Sequence, residues 1–348
     1  MPPEGAAAGS AAPRSEMRGI AIADVVGIRE RSLVERLLSS QPFWVTVALI
    51  LICGVMTYLQ PEAFASTANF YNITRNFAFI GIMAVGMVAV IVTGGIDLSV
   101  GSIMGLVGVV CGVLLEAGSP WWAAMLAGLF AGMLTGAVNG ALIAYVGLSP
   151  FVVTLGMLSF ARSLAIVLSG NRMIYNFGSG GDAFKVLGGG HFLGLANPVW
   201  VLIGLTILFG IVLRSTSWGR HLYAIGGNEN AARLTGVPVD RVKLQAYVVS
   251  ALTASIAAVL IVGWQGSAIN ALGTGYELRV IASTVIGGAN LMGGEGGAYG
   301  AFVGAALLEV IRNSLLMQGI DSNWQGAFVG VFIILAVLLE KIRGRRRS

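Results

Sequence analysis

The stretch TGGIDLSVGS, Thr93 to Ser102, places a carboxylate, Asp97, between two long runs that hold no other charge. Phe77 to Thr93 reads FAFIGIMAVGMVAVIVT, and Leu98 to Leu115 reads LSVGSIMGLVGVVCGVLL. Any fold that buries both runs must put Asp97 at a break between them. A Gly pair suits the end of one helix, and an aspartate placed after it can accept hydrogen bonds from the free N–H groups that open the next, at about Leu98. A carboxylate in apolar surroundings needs such donors.

Composition settles the surroundings. With 56% hydrophobic and 11% charged residues in 348, and a mean hydropathy of +0.83, the chain cannot clothe its apolar surface for water. The medium is a bilayer, whose hydrocarbon takes about 20 helical residues to cross. Ten apolar runs lie near 43 to 59, 77 to 93, 98 to 115, 121 to 146, 150 to 168, 199 to 213, 244 to 263, 279 to 292, 299 to 316 and 324 to 339. They are continuous rather than alternating, which selects helices over barrel strands. The expected fold is an all-α polytopic membrane protein of about ten transmembrane helices.

Basic residues fix its expected orientation. Five Arg fall within 1–42, five basic residues lie between Arg214 and Lys243, and five follow residue 340, together 15 of the 21. The positive-inside rule puts the N-terminus, the 214–243 loop and the 341–348 tail in the cytoplasm, with 43–340 as the membrane domain. The net charge of +5 therefore reflects topology and gives no support to nucleic-acid binding. Val25, Val26, Ile28, Leu33, Val34, Leu37 and Leu38, set among charges, fit a helix lying on the membrane surface. No cleavable leader is expected, since 1–42 lacks a compact apolar core followed by a cleavage site. Cys53 and Cys111 sit in apolar runs at no metal-ligand spacing and read as small buried hydrophobes.

Glycine is placed with order. Gly128, Gly132, Gly136 and Gly140 repeat every four residues, and Gly101, Gly105, Gly108 and Gly112 line another helix. Lipid offers no hydrophobic drive for helix association, so these faces predict close packing within one bundle. The opening motif also has a partner: Gly94 to Gly101 and Gly287 to Gly294 share the pattern GGx[D/N]LxxG, which predicts an internal duplication. Asn290 stands where Asp97 does.

The same residues allow a second role. Discontinuous helices in transporters turn their ends toward a substrate path, which makes Asp97, Ser99, Asn139 and Asn290 candidates for that path. Glu309 and Arg312, spaced i and i+3 in the ninth run, are further candidates, and that spacing also allows a salt bridge that locks helices. Arg162 fits either such a pair or a side chain reaching for the interface.

Several chemistries are excluded. The three lysines, 185, 243 and 341, are never followed by Ser or Thr, so there is no phosphate loop of the GxxxxGK[ST] type. GGEGGAYG at 293–300 lacks that lysine. His191 and His221 are far apart and each alone, so neither a metal site nor a catalytic triad is indicated.

The loop WGRHLYAIGGNENAARLTGVPVDRVK, Trp218 to Lys243, carries a short helix signal: Asn228 as N-cap, ENAARLT as the helix, Gly236 as stop. With GGIDLSVG at 94–101, SPFVVTLGML at 149–158 and VIGGANLMGGEGGAYGAFVGA at 285–305, it resembles the permease subunits of bacterial sugar ABC importers of the ribose/xylose/galactose type. The resemblance covers about 43–340, with four motifs in order. It implies a permease in the inner membrane that forms a homodimer, binds no cofactor itself, and docks an ABC ATPase with two fused nucleotide-binding domains using ATP and Mg. It also implies a periplasmic binding protein that delivers a monosaccharide. The segment matching 226–237 is the family's coupling helix region, which assigns Gly227, Asn228, Glu229, Ala231, Ala232, Arg233 and Gly236 to ATPase coupling. The first 42 residues and the outer loop at 178–194 depart from the family pattern, and neither identifies the sugar. Two alternatives remain at this point: an ion-coupled secondary transporter, for which Asp97 is the one notable group, and an ABC permease for branched-chain amino acids.

Overall fold

The computed structural model describes residues 40–320 without interruption, and beyond them only residues 35, 38, 324, 326, 327, 330, 331 and 334. The expected surface helix before residue 40, most of the last apolar run and the basic tail lie outside the described residues. The chain divides into two compact units, Met1–Ser39 and Ser40–Ser348, and every element below belongs to the second.

In order these are α1 Gln41–Leu59, α2 Pro61–Phe64, α3 Thr67–Val92, α4 Val100–Glu116, α5 Trp121–Ala144, α6 Pro150–Ser169 and α7 Gly181–Gly189. A small antiparallel hairpin follows, β1 His191–Phe192 and β2 Leu195–Ala196. Then come α8 Asn197–Ser215, α9 Ser217–Gly227, α10 Glu229–Leu234, α11 Val239–Gln265, α12 Tyr276–Ile286 and α13 Ala298–Met317. Proline in the first turn opens α1, α6 and α8, where its missing N–H costs nothing.

Seven of these helices, α1, α3, α5, α6, α8, α11 and α13, are long and apolar enough to cross a membrane. Two of the apolar runs need correction. The third run is a 17-residue helix that starts at Val100, not Leu98. The eighth, 279 to 292, is not a spanning helix: α12 has 11 residues, about 16 Å of rise, and the chain from Gly287 to Gly297 is a loop.

What stops α12 is the Gly pair. Gly288 has φ of +99°, its N–H donates to Val285 O, and the Ala289 N–H reaches back to Thr284 O. The end of α3 repeats this: Gly94 has φ of +77°, Gly94 N–H donates to Ile91 O and Gly95 N–H to Val90 O. Both are Schellman caps, whose left-handed residue is almost free of cost only for glycine.

The core is built around α3 and α11, which are enclosed over most of their length. Gly132, Gly136 and Gly140 of α5 lie against Ser255, Ala251 and Leu244 of α11, so close that a Cβ would collide at each. The four-residue glycine repeat is thus an intramolecular seam. At one end of the bundle sit α9, the 287–297 loop and the last turn of α3, in mutual contact around Gly226, with α10 following directly on α9. At the other sit α7 and the paired backbone of Ile174 and Ala268. Between them α4 and α12 both begin midway, Gly101 meeting the backbone of Gly273, and run toward opposite ends.

Candidate functional site

Asp97 is fully buried at the break before α4, and it is held by dipoles. Its Oδ1 accepts the Ser99 N–H at 3.0 Å and the Ser99 hydroxyl at 2.6 Å, and its Oδ2 accepts the Ser250 hydroxyl from α11 at 3.0 Å. Asn139 of α5 donates its amide to Ser99 Oγ at 2.9 Å. Ser99, Asn139 and Ser250 are also fully buried, and no cation pairs with Asp97 among the described residues. Three donors satisfy one carboxylate, which is what makes it tolerable there. Asp97 closes a turn onto Ser99, the residue before the helix, rather than capping a helix that starts at Leu98.

The start of α12 lies alongside. Glu277 packs against Gly101, and Arg162 of α6 donates to the Asn270 and Leu272 carbonyls at 2.6 and 2.8 Å. Arg162 therefore neither snorkels nor forms a salt bridge. It clamps the 266–275 segment, a run of turns that leads into α12.

The remaining path candidates lie elsewhere. Glu309, 2% exposed, pairs with Arg312 at 2.7 Å as its spacing predicts, and also with Arg279 of α12 at 3.2 Å. Asn290 sits in the Gly-rich loop, accepting the Met292 N–H at 2.7 Å, with the next helix beginning only at Ala298. The structure thus gathers Asp97, Ser99 and Asn139 and leaves Asn290, Glu309 and Arg312 outside that cluster.

At the end of the bundle, Asn228 caps α10 by accepting the Ala231 N–H at 2.9 Å, and Gly236, φ +85°, follows the helix. Glu229 binds Lys243 at 2.6 Å and Arg233 binds Asp240 at 2.8 Å, fastening α10 to α11. Ala231 and Arg233 face outward, but Ala232, assigned with them to ATPase coupling, is buried in the chain's own core and presents no surface to a partner. Leu234, 89% exposed, stands beside Ala231 and Arg233 instead.

A family model described as the permease component of a branched-chain amino acid transport system matches residues 69–337. The chain belongs to this permease family. An ABC transporter permease protein of Sinorhizobium fredii is 39% identical to the permease over 87% of this chain and 89% of its own. The ribose import permease of Escherichia coli strain K12 is 37% identical over 84% and 92%, and the L-arabinose transport system permease of the same strain 32% over 87% and 90%. The permease is a predominantly helical, multi-pass membrane protein.

Sequence reasoning missed Ser250, Arg279 and Leu234. A polar rhythm along the apolar α11, Tyr247, Ser250, Thr253 and Ser255, was the available signal for Ser250. Arg279 and Leu234 carried none, because each matters through neighbours distant in sequence or through exposure alone.

Proposed function

We propose that the permease is the membrane-spanning subunit of an ATP-binding-cassette importer that moves a monosaccharide, a pentose, hexose or related polyol, handed over by a periplasmic binding protein. The likeness to ribose and arabinose permeases over about nine-tenths of their length carries this reading. Those relatives favour a sugar over the branched-chain amino acids named in the family description. In this reading ATP is hydrolysed by a partner ATPase with fused nucleotide-binding domains, and two copies of the permease form the pathway.

The end bearing α9 and α10 is then cytoplasmic, together with both termini, and the end bearing α7 is periplasmic. Ten helices cross or enter the membrane: the seven long ones, α4, α12 and the run at 324–339. The matched Schellman caps at Gly94 and Gly288, and the matched turns closed by Asp97 and Asn290, support an internal duplication with a slip of one residue between cap and turn. Asp97, Ser99 and Asn139 belong to the moving break beside the path, Glu309 and Arg312 to its support, and Asn290 to the matching break. Gly227, Asn228, Glu229, Ala231, Arg233 and Gly236 shape the ATPase-docking helix, Ala232 roots it, and Leu234 offers an apolar contact for the partner's cleft.

Co-expression with the ATPase of its importer tests the assignment. Native mass spectrometry of the purified complex should show two permease copies with one ATPase chain, whose fused domains supply both nucleotide sites, and recovery of the permease without the ATPase would contradict it.

A further inference from the structure

The end of α9 touches the two broken regions of the chain at once. Gly226 packs its Cα against the Val92 carbonyl and the Gly294 N–H, so tightly that a side chain there would collide with both. Val92 and Gly294 are joined in turn, the Gly294 N–H donating to Val92 O at 2.9 Å. A Cβ built on Gly293 would fall 2.9 Å from Gly226 Cα and 3.0 Å from the Gly94 nitrogen. One turn earlier, the Tyr223 hydroxyl donates to Gly296 O at 2.8 Å. Three backbones thus meet with no side chain between them to absorb movement.

On its other side α9 runs straight into the docking helix. Asn228 ends α9, its N–H donating to Ala224 O at 3.1 Å, and caps α10 with its side chain. No flexible linker separates the two helices. On the far side of the contact, Val92 is the last residue of α3, five positions before Asp97.

We propose that Tyr223 and Gly226 are positioning residues that carry movement of α10 through the 293–296 loop to Val92, and so to the break that holds Asp97. This rests on the reading of α10 as the ATPase-docking helix. Direct backbone contact suits the task because close-packed elements shift as units and do not yield gradually. A second route exists through Lys243 and Asp240 into α11, which carries Ser250, so the proposal is that the glycine contact dominates.

The test uses the complete importer in vesicles and counts sugar moved per ATP hydrolysed. Gly226→Ala and Tyr223→Phe should still bind the ATPase and hydrolyse ATP near the wild-type rate. Sugar per ATP should fall about ten-fold for Gly226→Ala and about three-fold for Tyr223→Phe. Gly210→Ala, on α8 with nothing within 4 Å of the added carbon, should leave the ratio unchanged. A wild-type ratio in both variants would overturn the relay while leaving the importer assignment standing; a wild-type chain that neither binds the ATPase nor moves sugar on ATP would overturn both. If Gly226→Ala does not fold, the ratio in Tyr223→Phe decides.

Discussion

Asn139 donates its side-chain amide to Ser99 Oγ at 2.9 Å, and the Ser99 hydroxyl donates in turn to Asp97 Oδ1 at 2.6 Å. One hydrogen-bond chain thereby ties the glycine seam of α5 to the break before α4, and Ser250 extends it to α11. The break is therefore fastened on both sides to helices that span the bundle, so it can move only with them.

This arrangement predicts a graded response at Asp97. Asp97→Asn keeps one oxygen for the Ser99 donors, and the Ser250 hydroxyl can turn to accept, so stability should change by about 1 kcal/mol or less. Asp97→Leu strands the buried Ser99 and Ser250 donors and should cost at least about 2 kcal/mol. Thermal unfolding in detergent measures both, and equal stability of the two variants would remove the structural role.

The ion cluster should respond asymmetrically. Glu309 serves two guanidinium groups, so Glu309→Ala leaves both without it and should destabilise by about 3–5 kcal/mol. Arg312→Ala leaves Glu309 still paired with Arg279 and should cost clearly less. Unfolding midpoints of the two purified variants, measured side by side, decide it.

Glycine substitutions separate seam from lipid face. A Cβ on Gly136 would lie 2.5 Å from the Ala251 Cβ and 2.7 Å from the Tyr247 carbonyl oxygen, so Gly136→Ala should cost about 1–3 kcal/mol through overpacking. Gly156 has nothing within 4 Å, and Gly156→Ala should be neutral or stabilising by up to about 1 kcal/mol through helix propensity.

How much of this was legible beforehand follows the range of each interaction. The broken helices, the Asn228 cap, the four-residue glycine repeat and the Glu309–Arg312 pair were readable because each leaves its mark within a few neighbouring positions, although the helix that the glycines pack against lies more than 100 residues on. The length of α12 was not, because an apolar window cannot distinguish a helix that spans lipid from a half-length one sheltered by protein. Arg162 was misread for a similar reason: its partners are backbone carbonyls on a segment more than 100 residues away, and carbonyls leave no mark in a sequence. Ala232 faced inward because α10 is fastened to α11 by Arg233–Asp240 and Lys243–Glu229, pairs whose geometry the sequence does not display.

Docking by α10 predicts its own separation of effects. Leu234→Asp places a charge on a side chain that touches little within the chain, so the membrane domain should unfold at the wild-type temperature. Co-purification with the ATPase should nevertheless fall about ten-fold or more. Ala232→Trp, aimed at a buried position, should lower stability itself.

The central claim is that sugar import by this chain is driven by ATP through partner subunits. Its most direct test is radiolabelled ribose or arabinose uptake into vesicles holding the permease and its ATPase, with ATP trapped on the ATPase side and the binding protein outside. Uptake should require both ATP and the binding protein, and should persist when ionophores collapse every ion gradient. Uptake by the permease alone, driven by an ion gradient without ATP, would contradict the account.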